Sequence, residues 1–265
     1  MTDFKNEMDI GMSSINLKLE KYGMSVYKLA VMLAGVIFCV FSMIYTLYHD
    51  NMDNVLYILA TVMLVFVPFI VGVLMKFSIN SAVFTFIIFY AVAPLLGSMY
   101  KLYYLTDWWD DLLHFSGGVV FAIFGIFVAK FLNRKGKNTL VMCAVFAFCF
   151  SLGIAVLWEF FEYAMDVFFG MDMQVDTFID HMNSYLLGSE PGVKGEINGI
   201  KDVYVNGQRL EGYIDIGLID TMKDMMLECS GAFIYCVIFL IDRDRHPLFR
   251  FTNEKKQALE LDLSE

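Results

Sequence analysis

The chain has 265 residues, 58% of them hydrophobic, with a mean hydropathy of +0.60. Its apolar residues come in runs long enough to cross a bilayer, which excludes an ordinary soluble domain and leaves room for one membrane domain and little else. The 29 acidic residues outnumber the 19 basic ones, and the resulting net charge of −10 argues against nucleic acid as a partner.

Residues 1–22 are polar but patterned. Phe4, Met8, Met12, Ile15, Leu19 and Tyr22 recur every three or four residues, which predicts an amphipathic helix lying on the membrane surface. Residues 23–169 read as transmembrane helices one to five, over Val26–Leu47, Val55–Met75, Ala82–Tyr103, Leu112–Leu132 and Thr139 to about Phe169. The first run is too long for a signal-peptide core and no small-residue cleavage site follows it, so it is expected to be retained. Pro68 and Pro94 lie inside the second and third runs, and Pro68 is expected to kink its helix. Trp108 and Trp109 precede the fourth run, as an interfacial aromatic belt would, and Gly117-Gly118 within it allows close helix approach. The fifth run is longer than a span and is expected to project from the bilayer.

Residues 170–216 are the one sizeable extramembrane piece. Asn198-Gly199 and Asn206-Gly207 sit among Val203-Tyr204-Val205 and Tyr213-Ile214, and such turns between alternating residues predict a small β-meander, a compact cap over the outer end. Residues 217–242 hold the sixth span, Leu218–Ile241, and 243–265 form a charged tail. Cys39, Cys143, Cys149, Cys229 and Cys236 all fall in apolar segments, form no CxxC pair, and read as small core residues. The fold class is thus an all-α polytopic membrane protein: six transmembrane helices, an N-terminal amphipathic helix and a small extracytoplasmic β-meander.

Lysine and arginine set the orientation. Lys18, Lys21 and Lys28, then Lys76, then Arg134, Lys135 and Lys137, then Arg243, Arg245 and Arg250 fall on one side of a six-span chain, and the opposite loops are acidic. The positive-inside rule places both termini in the cytoplasm.

That topology brings three charged stretches to one depth on the outer side. Asp110 and His114 open the fourth span, Glu159 and Glu162 lie far along the fifth, and Asp220 and Asp224 open the sixth. Each pair is three or four residues apart, on one helix face. Asp166 and Glu228 extend two of these faces, and Asp111 adjoins the first. A charge in an apolar helix costs roughly 2.5–3.5 kcal/mol at the bilayer centre. Asp110, Asp111 and Asp220 taken singly could be helix caps, but Glu159 and Glu162 are too far from a helix start for that role. The physical choices are a bound divalent metal, a shared-proton network, or helices that never converge. Oxygen ligands with one imidazole suit Mg²⁺, Mn²⁺, Zn²⁺ or Fe²⁺, as one ion or two. The expected metal ligands are Asp110, His114, Glu159, Glu162, Asp220 and Asp224. His114, Glu159 and Glu162 are the expected proton carriers, and Lys223 is the only basic residue near any of the three stretches.

Asp110-Asp111-Leu112-Leu113-His114-Phe115 with Gly117 or Gly118, Trp158-Glu159-Phe160-Phe161-Glu162, and Asp220-Thr221-Met222-Lys223-Asp224-Met225 with Gly231-Ala232 resemble, in that order, the uncharacterised bacterial inner-membrane proteins typified by YjdF. The Asp–His opening also resembles the VanZ-like family, linked to teicoplanin resistance. The likeness covers about residues 105–170 and 215–240, and the long 170–216 insertion departs from it. It implies a bacterial cytoplasmic-membrane location and brings no reaction. The residues themselves point first to a metal-dependent hydrolase acting on a lipid or lipid-linked envelope substrate, with membrane lipids as its surroundings. An ion- or proton-coupled transporter and a non-catalytic envelope binding or immunity protein are the alternatives.

Overall fold

A computed structural model describes residues 19–20, 22–49, 54–75, 78–106, 108–133 and 139–242. The amphipathic pattern over 1–22 therefore lies almost wholly outside the described residues. So do the tail 243–265 and the basic residues Lys76, Arg134, Lys135 and Lys137.

The described chain is mostly helical, and six helices are long and apolar enough to cross a membrane. They are α1 (Val26–Tyr48), α2 (Asn54–Met75), α3 (Ser81–Met99), α5 (Trp109–Leu132), α6 (Leu140–Phe169) and α7 (Leu218–Asp242); a single turn, α4 (Leu102–Leu105), precedes α5. Local chemistry fixes the ends. Ser25, Asn80 and Thr139 each accept a backbone N–H at a helix start, from Lys28, Ala82 and Met142. Gly170 stops α6 in the left-handed conformation, φ 63°, with its N–H on the carbonyl of Asp166. Helices α2 and α3 continue through Pro68 and Pro94. The third span ends earlier than its apolar run, because Lys101 adopts φ 60° and the chain turns into α4.

The helices pack as two groups, α1–α2–α3 and α5–α6–α7, joined where α3 meets α5. The first group buries Met32, Val65, Phe84 and Ile88. The second buries Ala122, Ile126, Ala144, Ala147, Ala232 and Phe239. Close approach of α5 and α7 needs reciprocal glycines. A Cβ on Gly118 would strike the Glu228 carbonyl, and one on Gly231 would strike the Phe115 carbonyl. Both helix backbones therefore touch, as small-residue interfaces in membranes allow.

Residues 171–217 join α6 to α7. Their strands are β1 (Thr177–Ile179), β2 (His181–Ser184), β3 (Gly195–Asn198), β4 (Val203–Val205), β5 (Gln208–Leu210) and β6 (Tyr213–Asp215). The insertion is β-containing, but its strands form three separate antiparallel pairs, β1–β6, β2–β3 and β4–β5, where the sequence suggests one continuous meander. Asn206-Gly207 makes the tight β4–β5 turn, with both residues at positive φ. Asn198-Gly199 makes no such turn: β3 and β4 are not paired, and the Ile200 amide instead bonds the Asp180 carbonyl.

Candidate metal centre

Helix α5 begins at Trp109, so Asp110 and Asp111 occupy its first turn and His114 the next. The Gly118–Gly231 contact draws α7 against this end of α5, and Asp224 of α7 faces His114. Nε2 of His114 lies 3.6 Å from Oδ1 of Asp110 and 3.5 Å from Oδ2 of Asp224. One ligand atom from each of the three residues falls within 4.8 Å of the others. These spacings exceed a hydrogen bond of about 2.7–3.2 Å. They match two donors on one tetrahedral ion, which at bonds of about 2.1 Å stand about 3.4 Å apart. Asp224 is 1% exposed, and neither of its oxygens makes a hydrogen bond. A buried carboxylate left charged in that condition costs several kcal/mol, roughly, unless a cation or a proton joins it. This group can hold a metal ion, and its two carboxylates would balance a divalent charge.

The remaining residues stand around this group, outside the 4.8 Å set. Glu159 and Glu162 are both buried on the inner face of α6, and Oε2 of each has no hydrogen bond. The other oxygen of Glu162 accepts the indole N–H of Trp158 at 2.8 Å. Both glutamates are within electrostatic range of Asp110. Asp220 is engaged elsewhere, since its Oδ2 accepts the Val175 backbone N–H at 2.9 Å. Asp220 does not cap α7 through that bond; Asp215 takes that role by accepting the Ile219 N–H at 2.7 Å.

Three residues whose part the spacing left open find distinct places. Asp111 pairs with Lys223 across α5 and α7. Asp166 accepts the backbone amides of Met173 and Gln174, at 2.7 and 2.9 Å, and so anchors the start of the insertion. Glu228 is buried one turn below Asp224, within electrostatic range of Glu159.

The structure adds tyrosines that periodicity did not reveal. Tyr90 of α3 lies within electrostatic range of Glu228, Asp110 and Glu162. Tyr103 of α4 packs on Gly97 and faces Asp110 and Glu162. Burial, then those two carboxylates, push the Tyr103 phenol above its ordinary range, so it stays a hydrogen-bond donor. An aromatic residue in an apolar run looks like core, and only the packing of α3 and α4 against α5 assigns these two to the site.

One family, described as "Predicted membrane protein (DUF2238)", matches the chain over residues 27–245. Neither the curated proteins nor the solved structures contain a match.

Proposed function

The chain belongs to the DUF2238 family of predicted membrane proteins, and from the site itself we propose that it is a metal-dependent membrane hydrolase. The observation that carries this reading is the Asp110–His114–Asp224 group, with a fully buried Asp224 that makes no hydrogen bond. Asp110, His114 and Asp224 hold a divalent ion, Zn²⁺, Mn²⁺ or Mg²⁺. Glu159 and Glu162 stand beside that group, each with one oxygen free of hydrogen bonds, while Asp220 stays on the Val175 amide. Such an ion supplies Lewis acidity toward water. Because Nε2 of His114 is turned to the two carboxylates, His114 serves as the nitrogen ligand. The free oxygens of Glu159 and Glu162 are then the groups left to move protons.

The substrate is a lipid or lipid-linked envelope group, because the site opens where apolar helices end and Trp108 and Trp158 are exposed. We place the protein in a bacterial cytoplasmic membrane, YjdF-like, with the metal site outside and both termini inside. The apolar core at the opposite end of α5–α7 favours a closed site over a transport path.

The test is elemental analysis of the detergent-purified protein. One or two divalent ions per chain are expected, with loss in Asp224→Asn and a melting temperature lowered by chelator. A metal-free wild type with an unchanged melting temperature would overturn both the metal and the hydrolase. With the metal present, incubation with an envelope-lipid extract tests turnover, and the absence of product favours a binding protein.

A further inference from the structure

The two successive glycines of α5 make room for different things. An added Cβ on Gly118 would strike the backbone carbonyl of Glu228, so Gly118 lets two helices touch. The three atoms nearest an added Cβ on Gly117 are all side-chain atoms. It would stand 2.5 Å from the hydroxyl oxygen and 3.3 Å from Cζ of Tyr90, and 3.7 Å from Oε1 of Glu228. The missing side chain at 117 is therefore room for two polar groups. Packing places both of them. Tyr90 of α3 lies against the Ala93, Trp109 and Leu113 cluster and meets the Phe121 ring edge-on, with centroids 6.0 Å apart. Glu228 of α7 is 4% exposed, and no ion pair among the described residues includes it. A buried carboxyl needs a donor, a proton or a cation, and a phenol O–H is a donor. The two atoms come from the two separate helix groups and meet over a residue that has no side chain to part them.

We propose that Tyr90 is the positioning residue of Glu228: across Gly117 its hydroxyl donates to Oε1 of Glu228, directly or through one water, and fixes the orientation of that carboxyl. Glu228 follows Asp224 by four residues, so it lies one turn further along the same face of α7. A carboxyl held by a hydroxyl donor is a place where a proton can be kept, one turn from the metal ligand. That use of the pair rests on the metal-site reading, whereas the link between Tyr90 and Glu228 needs no metal. Tyr90 acts through Glu228 and is not one of the Asp110–His114–Asp224 group. Gly117 is the third member of the arrangement, because any larger residue there would push the hydroxyl away.

The experiment uses the full chain in detergent and two readouts. The first is the infrared spectrum. The carboxyl band that Glu228→Gln deletes should shift in Tyr90→Phe, which keeps the ring and removes only the hydroxyl; a merely structural tyrosine would leave the band in place. The second is the melting temperature. Tyr90→Phe and Glu228→Gln should each lower it by about 2–4 °C, the shift expected for one lost hydrogen bond in a chain of this size. The double variant should fall no further than the larger single loss, because both changes remove the same interaction. Gly117→Ala sets a methyl group against the Tyr90 hydroxyl and should melt lower than either single variant, and adding Tyr90→Phe should recover part of that loss. An unmoved carboxyl band, additive losses, or a Gly117→Ala protein made worse by Tyr90→Phe would each overturn the link. Should Gly117→Ala fail to fold, the band and the Tyr90–Glu228 cycle decide it. Elemental analysis keeps the two readings apart. A metal-free wild type with a shifted band removes the proposed function and leaves the pair, and a metal-bearing wild type with an unmoved band does the reverse.

Discussion

The same three helices, α5, α6 and α7, make two unlike ends. At one end Ala122, Ile126, Ala144, Ala147 and Phe239 close into an apolar core of mostly small side chains. At the other, the buried set is His114, Glu159, Glu162, Asp224 and Glu228. The apolar end explains how the charged end can persist. Carboxylates that repel one another would move apart if their helices could. Here alanines and the reciprocal Gly118 and Gly231 contacts fix how closely the backbones approach, and the charged end inherits that distance one or two turns away. Packing creates the electrostatic problem, which a bound cation or a proton shared among the carboxylates can answer.

The largest expected effect comes from breaking the shared approach itself. Gly118→Val drives a branched side chain into the Glu228 carbonyl and should cost about 3 kcal/mol, the upper range for overpacking. Thermal unfolding in detergent should show the loss, and elemental analysis should show the metal lost with it. A variant that unfolds early yet keeps its metal would mean that the two ends are independent.

The next effect separates the ends. Chelation should lower wild-type stability by about 2.7 kcal/mol if free metal stands at a hundred times its dissociation constant. The effect should vanish in Asp224→Asn. Ile126→Val, in the apolar end, should cost about 0.5–1.5 kcal/mol with or without chelator, because distant sites add. A chelator effect that changes with Ile126→Val would show coupling along the bundle. A smaller change is Trp158→Phe, which removes the indole N–H from Glu162 and should cost about 1 kcal/mol in the same melting assay.

The helices were legible because apolar runs of this length have few other uses. The error at the end of α3 is equally physical. The apolar run continues to Tyr103, and the positive φ of Lys101 that breaks it leaves no mark in hydropathy. In the insertion, a local turn could be read at Asn206-Gly207, whereas the pairing of Thr177 with Asp215 could not, because the partners are far apart in sequence. At the candidate site, charged residues within apolar helices announce themselves. What they bond to does not: Asp166 and Asp220 accept amides from a strap whose path only the folded chain defines.

The smallest effect concerns an ion pair at the rim of the charged end. Asp111 and Lys223 join α5 to α7, but their side chains are 34% and 48% exposed, so water screens them. Exposed pairs contribute about 0.2–1 kcal/mol in double-mutant cycles. A cycle of Asp111→Asn, Lys223→Met and the double variant should therefore give a coupling in that range, fading as salt is raised. The two single variants should also differ in kind. Losing Lys223 removes the cation nearest Asp110, Asp220 and Asp224 and leaves the carboxylates to a bound ion alone, so the melting temperature should become more sensitive to chelator. Losing Asp111 removes a negative charge from the same rim and should make the protein less sensitive. Equal chelator responses from both variants would place the pair outside the field of the metal centre, and the charged end would then stop at Asp110.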